Sequence, residues 1–272
     1  MSKAKKTEKV YSFLWDRHEN SPPARWHFNA MQGVISEPIV RGNIGLEVGC
    51  GCGYDTYIMA KANPSTHFVS LDISDGVYKA RELTSGLNNV EVIQCSVLDM
   101  PFKEGMFDFA YSFGVLHHTE DPKKGFMEIV RVLKRNAPAF FYLYDDHSEN
   151  PVKRIALKMI ALIRRLTVKV PSRLLYAIST IASPFTFIAF TLPAKIMNRF
   201  RFTKSIAENM PFNFGTSPFS LIGDLYDRFS APIEHRFSRQ GLTDILGKCG
   251  FCDIHITRLR NTAGWVSWGY KS

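Results

Sequence analysis

Three alternating glycines behind a short apolar run constrain this chain more than any other feature. The run is Leu46-Glu47-Val48-Gly49-Cys50-Gly51-Cys52-Gly53, preceded by the turn-like Gly42-Asn43. Ile44, Leu46 and Val48 suit a short buried strand, and Tyr57-Ile58-Met59-Ala60 starts a helix-compatible pattern. The glycines therefore stand where a strand turns into a helix. There the backbone must bend sharply and admit a ligand with no Cβ in the way. A second strand, His67 to Asp72, ends on a carboxylate nineteen residues after the last glycine. That is the place for a group that accepts hydrogen bonds from a ribose. The glycines alternate, unlike the G-x-G-x-x-G fingerprint, which argues against a nicotinamide or flavin site.

The same alternation of strand and helix continues downstream. Strands are expected near 44–48, 67–71, 91–94, 107–112 and 138–144, with helices over 55–62, 75–88 and 122–134. Asp121-Pro122 reads as an N-cap followed by proline at the first helical position. Such a pattern predicts an α/β fold with a doubly wound parallel sheet and a ligand crevice beyond the carboxyl ends of its strands. The five cysteines show no metal-ligand spacing, and Cys50 and Cys52 lie inside the glycine turn. They read as reduced thiols of a cytoplasmic chain with no metal. The lysine-rich start, Met1 to Lys9, lacks the apolar run of a secretory signal and reads as a frayed tail.

Glu47-x-Gly49-x-Gly51-x-Gly53, then Asp72, then Phe107 through His118 together resemble the class I S-adenosylmethionine-dependent methyltransferases, in their type 11-like group. The resemblance covers residues 44–141 and resumes from about residue 237. It implies a Rossmann-like, doubly wound, seven-stranded sheet and S-adenosyl-L-methionine as cofactor, and residues 151–235, inserted after strand 5, read as a helical cap at the substrate mouth. It places Glu47, Gly49, Cys50, Gly51 and Gly53 around the cofactor's carboxylate end and Asp72 at the ribose. Ile73 would pack on the adenine, Ser96 and Val97 would line its edge, and Ser112 would stand near the methyl group. His117 and His118 are candidates for a general base, with packing as the alternative for each. Two departures stand out: Cys95-Ser96 replaces the usual Gly-Asp, and Lys134-Arg135-Asn136-Ala137-Pro138 replaces Lys-Pro-Gly-Gly. Asn136 is the natural residue there for a left-handed turn.

The resemblance divides the chain into 1–150, 151–235 and 236–272, the middle piece being the insertion. Net charge is +9, and residues 151–215 hold eleven basic side chains against the single acid Glu208. From Pro151 to Val170, Arg154, Lys158, Arg165 and Lys169 share one helical arc, while Ile155, Met159, Leu162, Leu166 and Val170 share another. Docking of that apolar arc on the neighbouring fold is expected, with an anionic bilayer surface as the alternative. Leu174 to Ala194 carries no charge over 21 residues but contains Pro184 and several hydroxyls. It reads as a pair of short apolar helices, not a membrane span. Tyr144, Tyr226 and His235 are candidate substrate contacts, a hydrogen-bonded return loop being the alternative. Residues 10–39, with Trp15, Trp26, His27 and Phe28, would close over the cofactor or pack on the sheet.

The expected reaction is displacement of the cofactor's methyl group by an acceptor held under the cap. That acceptor would be a small-molecule or lipid-linked compound, with oxygen as the nucleophile. The alternatives are an RNA methyltransferase using the basic insertion and a non-catalytic cofactor-binding adaptor. The insertion's cations are interleaved with aliphatic runs and lack a stacking platform, which argues against nucleic acid. Peripheral contact of 151–204 with an anionic membrane is compatible with the cytoplasmic setting.

Overall fold

The computed structural model describes residues 2–17, 30–259 and 264–272. The chain forms two compact units, the second being residues 150–232. Trp26, His27 and Phe28 lie outside the described residues.

The first unit opens with helix α1, Lys3–Asp16, where a frayed tail was expected. Ser2 caps it by accepting from the Lys5 N–H, and Thr7, Val10 and Leu14 form its buried stripe. The lysines occupy the other faces and hide that stripe from a reading of composition. There follow β1 (Ile44–Val48), α2 (Tyr54–Ala62), β2 (His67–Asp72), α3 (Gly76–Thr84), β3 (Val90–Gln94) and β4 (Phe109–Phe113). A 3₁₀ turn at Leu116–His118, α4 (Pro122–Val132) and β5 (Pro138–Tyr144) complete the parallel half. The chain returns with α10 (Arg239–Cys249), β6 (Phe251–Arg258) and β7 (Gly264–Lys271). Asp121 caps α4 with Pro122 in its first turn, and Asn136 takes the left-handed φ of 59°.

The seven strands run in the order β3-β2-β1-β4-β5-β7-β6, with β7 antiparallel to its neighbours. Alternating side chains feed two cores. Leu46, Val48, Val69, Leu71 and Phe141 meet Phe126 and Ile129 of α4 and Leu242 and Leu246 of α10 on one face. Phe68, Phe109, Tyr111 and Phe140 meet Met59 of α2 with Met31 and Ile35 on the other. Burial on both faces explains the near-continuous apolar strands.

The second unit begins with α5 (Pro151–Thr167), capped by Asn150. Next come α6 (Ser172–Thr186), a π-helical turn (Phe187–Thr191) and α7 (Leu192–Met197). α8 (Lys204–Asn209) and α9 (Ile222–Ser230) complete it. One expectation is corrected here. Residues Ser172–Met197 form one uninterrupted helical run, not two short helices. Pro184 is accommodated inside α6, and the π turn beyond it absorbs the change of winding. Within the second unit the apolar arc of α5 is uncovered: Ile155, Met159, Leu162 and Leu166 are all exposed. The side of α5 that packs is the one carrying Arg164 and Thr167, which donate to the carbonyls of Arg228 and Phe229.

Candidate functional site

The site lies at the carboxyl ends of β1, β2, β4 and β5 in the first unit. After Val48 the chain passes through Gly49, Gly51 and Gly53 with φ of 84°, 53° and 84°. A Cβ on Gly49 would stand 2.1 Å from Val115 Cγ2, and one on Gly51 would stand 2.8 Å from Trp15 Cε2. Glycine is thus required twice over, by backbone and by neighbours. The N–H groups of Gly49 and Cys50 both donate to the Leu71 carbonyl, which closes the turn against β2.

Asp72, at the tip of β2, is buried. Its Oδ2 accepts from the Gly51 N–H at 2.9 Å, and its Oδ1 accepts from the Ser74 N–H and hydroxyl at 2.8 and 2.6 Å. Burial raises its pKa, against the opposing pull of the Ser74 and Gly51 hydrogen bonds. Ile73 beside it is exposed.

Glu47 sits inside the protein. Its Oε2 accepts from the hydroxyls of Thr56 and Ser70, so it ties α2 and β2 to β1. Burial, with the Asp55 charge adding to it, pushes its pKa up to about 7. Cys50 and Cys52 are buried, and desolvation lifts both thiols, Cys52 to about 12, so both stay protonated. Ser96 Oγ accepts from the Leu98 N–H and shapes its own turn, and Val97 belongs to the core. Ser112 donates to the Val48 carbonyl at 3.0 Å, fastening β4 to the start of the glycine turn.

An aromatic group completes the site. The ring centroids of His117 and His118 lie 4.2 Å apart, and the His117 ring stacks on Tyr144 at 3.9 Å. The 3₁₀ turn therefore brings both histidines into one cluster. His118 Nδ1 lies 2.7 Å from the Ile233 carbonyl, so this nitrogen carries the proton. His117 is fully buried, and neither ring nitrogen has a partner among the described residues. Desolvation, then the charges of His118 and Arg236, holds its pKa well below the ordinary histidine value. From α1, Tyr11 stands 5.4 Å from His118 between ring centroids.

His235 serves the return segment: its N–H donates to the His117 carbonyl, and its Nε2 lies 3.1 Å from the Thr119 carbonyl. Tyr226 is buried in the second unit with its ring 5.7 Å from that of Tyr176. Sequence reading missed three contributors. Arg236 stacks over Tyr144 at 4.9 Å while paired with Glu234. Arg258 meets Asp145 at 2.9 Å, and the His147 ring meets the same carboxylate at 3.0 Å. No local motif marks the Arg236–Tyr144 and Arg258–Asp145 contacts, which the return of the chain creates. Trp15 was noted as an aromatic, but its seat on Gly51 has no sequence signature. Among the described residues no group of side chains could hold a metal ion.

Residues 46–141 match the family model described as a methyltransferase domain. The demethylmenaquinone methyltransferase of Staphylococcus carnosus is 32% identical over 112 residues, 40% of this chain and 45% of that protein. The tRNA (carboxymethyluridine(34)-5-O)-methyltransferase of Saccharomyces cerevisiae is 34% identical over 108 residues, 38% of this chain and 36% of that protein. The chain thus spans less than half the length of either relative. Among solved structures, an S-adenosylmethionine-dependent methyltransferase from Aquifex aeolicus superposes with a TM-score of 0.51 at 14% identity, covering 100% of both chains. That likeness gives the fold, and the matched domain holds the glycine turn, Asp72 and both histidines. Residues 46–141 are thus a methyltransferase domain, set in a chain with the fold of the S-adenosylmethionine-dependent methyltransferases.

Proposed function

We propose that the protein transfers the methyl group of S-adenosylmethionine to an oxygen of a small-molecule or lipid-linked acceptor. The observation that carries this reading is the Gly51–Asp72 hydrogen bond beside a turn built of three positive-φ glycines. An ionised carboxylate offers about four lone pairs. Ser74 donates twice to Oδ1 and Gly51 once to Oδ2, so Oδ2 is the oxygen placed to accept from a ribose hydroxyl. The glycine cradle, where a Cβ would collide, fits the methionine carboxylate at the N-terminus of α2. Ile73 offers an apolar surface to the adenine, with Ser96 and Val97 at its edge. The residues present therefore fit the cofactor, which supplies an already activated sulfonium methyl when bound.

What remains for the protein is alignment and removal of one proton. His118 suits the second task. With Nδ1–H held by the Ile233 carbonyl, Nε2 keeps its lone pair for an acceptor hydroxyl. His117 and Tyr144 form the wall beside it, with Arg236 over the tyrosine ring. In this reading Tyr144 touches the acceptor, while His235 fixes the turn that carries the histidines. The protein would be cytoplasmic, touching a membrane through the insertion.

A second reading, methylation of RNA, is favoured by the tRNA-modifying relative and the eleven cations of residues 151–215. Release of S-adenosylhomocysteine separates the two. Purified protein and cofactor are incubated with a total lipid extract or with total tRNA. Turnover with the lipid extract alone supports the proposal, and turnover with tRNA alone replaces it.

A further inference from the structure

The second unit wears its apolar side chains outward. Of the 21 exposed large hydrophobic side chains among the described residues, 18 lie between Ile155 and Phe219. They include Leu166 at 69%, Phe185 at 68% and Phe202 at 83% exposure. Scattered exposed apolar residues are ordinary, but a concentration of this kind marks an interaction surface.

Charge identifies what meets it. On α5 the exposed side holds Arg154, Lys158 and Arg165 directly beside Ile155, Leu162 and Leu166, and the helix contains no acid. A strip of cations abutting a strip of aliphatics, both facing water, complements a surface with anionic heads above hydrocarbon. We propose that residues 150–232 dock the protein in the interfacial plane of an anionic phospholipid bilayer. The proposal deepens the membrane contact suggested above and does not depend on methyl transfer.

The hydroxyl stripe of α6 decides between lying and spanning. Ser172–Met197 is long and apolar enough to cross a membrane. Yet its buried stripe is Leu175, Ser179, Ser183, Thr191 and Ala194, and its large apolar side chains point outward. The Ser183 and Thr191 hydroxyls donate to the carbonyls of Pro218 and Phe212, and α9 packs along the same helix. α9 carries Asp224, Asp227 and Arg228, so a spanning α6 would draw these charges into hydrocarbon. α5 also packs on α9. The exposed faces of α5 and α6 thus turn away from the helix they share, and a flat orientation leaves α9 on the water side.

Co-sedimentation of the full chain with vesicles tests this. Phosphatidylcholine vesicles are compared with phosphatidylcholine–phosphatidylglycerol vesicles of roughly 3:1 composition. The protein should pellet with the anionic vesicles, stay soluble with the neutral ones, and be released by about 1 M salt. Arg154→Gln/Lys158→Gln/Arg165→Gln should weaken the partition roughly 100-fold. Leu162→Ser/Leu166→Ser, both at exposed positions, should weaken it at least about 30-fold. Circular dichroism and calorimetric titration with S-adenosylmethionine, without vesicles, should match the unsubstituted protein for both variants. Absence of pelleting, equal pelleting with neutral vesicles, or retention after the salt wash would overturn the proposal. So would undiminished binding by the leucine variant, or a vesicle-free dimer that the leucine variant abolishes. None of these outcomes bears on whether the first unit transfers methyl groups.

Discussion

The backbone N–H of Gly51 donates to Asp72 Oδ2 across 2.9 Å, so the acidic tip of β2 holds the glycine turn of β1 in place. One carboxylate thereby shapes the cradle and, in the proposed reading, accepts from the ligand. The two roles separate under substitution.

Asp72→Asn replaces one acceptor oxygen with an N–H₂ group that must face either Gly51 or Ser74, both donors. Loss of a charged hydrogen bond is worth about 2 kcal/mol, or roughly 30-fold in affinity. Calorimetry should show S-adenosylmethionine binding weakened by about that factor while circular dichroism stays unchanged.

Gly49→Ala and Gly114→Ala distinguish backbone strain from crowding. Their φ values, 84° and 82°, are nearly equal. A Cβ on Gly49 meets Val115 at 2.1 Å, whereas one on Gly114 meets nothing within 4 Å. Gly114→Ala should cost about 1–2 kcal/mol from conformation alone, and Gly49→Ala distinctly more. Adding Val115→Ala to Gly49→Ala should recover part of the difference in urea unfolding.

Glu47 links stability to pH. Its pKa rises from 4.5 to about 7 on folding, with burial as the main cause. The folded state therefore holds its proton more tightly than the unfolded one. The relative stability this confers is complete below pH 4.5 and is lost as pH rises through about 7. The loss is roughly 3 kcal/mol at 1.36 kcal/mol per pKa unit. Glu47→Gln should flatten the fall in unfolding free energy between pH 5 and pH 8 by about that amount.

The two histidines should behave differently. His118→Asn keeps a donor for the Ile233 carbonyl but removes Nε2. Turnover should fall about 10²–10⁴-fold with cofactor affinity unchanged. His117→Phe preserves the stack on Tyr144 and removes two buried nitrogens without partners among the described residues. Its pKa lies well below 6.5, so the unfolded state binds a proton that the folded state refuses. Stability is therefore lost as pH falls through 6.5, and His117→Phe should be more stable than the unsubstituted protein near pH 5 by thermal unfolding.

Much of this was legible in the sequence where burial on both faces left apolar runs. The fifth strand was expected over 138–144 and is Pro138–Tyr144. The glycine turn, Asp72 and the Asn136 turn were legible because each needs a particular residue type. Other features depend on partners distant in sequence. The buried stripe of α1 is masked by lysines, and Pro184 reads as a break until a π turn accommodates it. Periodicity identified the apolar arc of α5 but not which side packs, because Arg164 and Thr167 find carbonyls 64 and 62 residues away. Ser96, Ser112 and Glu47 were read as cofactor contacts, and the hydrogen bonds their side chains make in the structure are to the loops and strands that frame the turn.

The central claim, that the glycine turn and Asp72 hold S-adenosylmethionine, is tested most directly by calorimetric titration of the purified protein with that compound. Saturable one-to-one binding, weakened in Asp72→Asn and in Gly49→Ala, is the expected result. No heat of binding from a folded protein, or equal affinity in both variants, would contradict it.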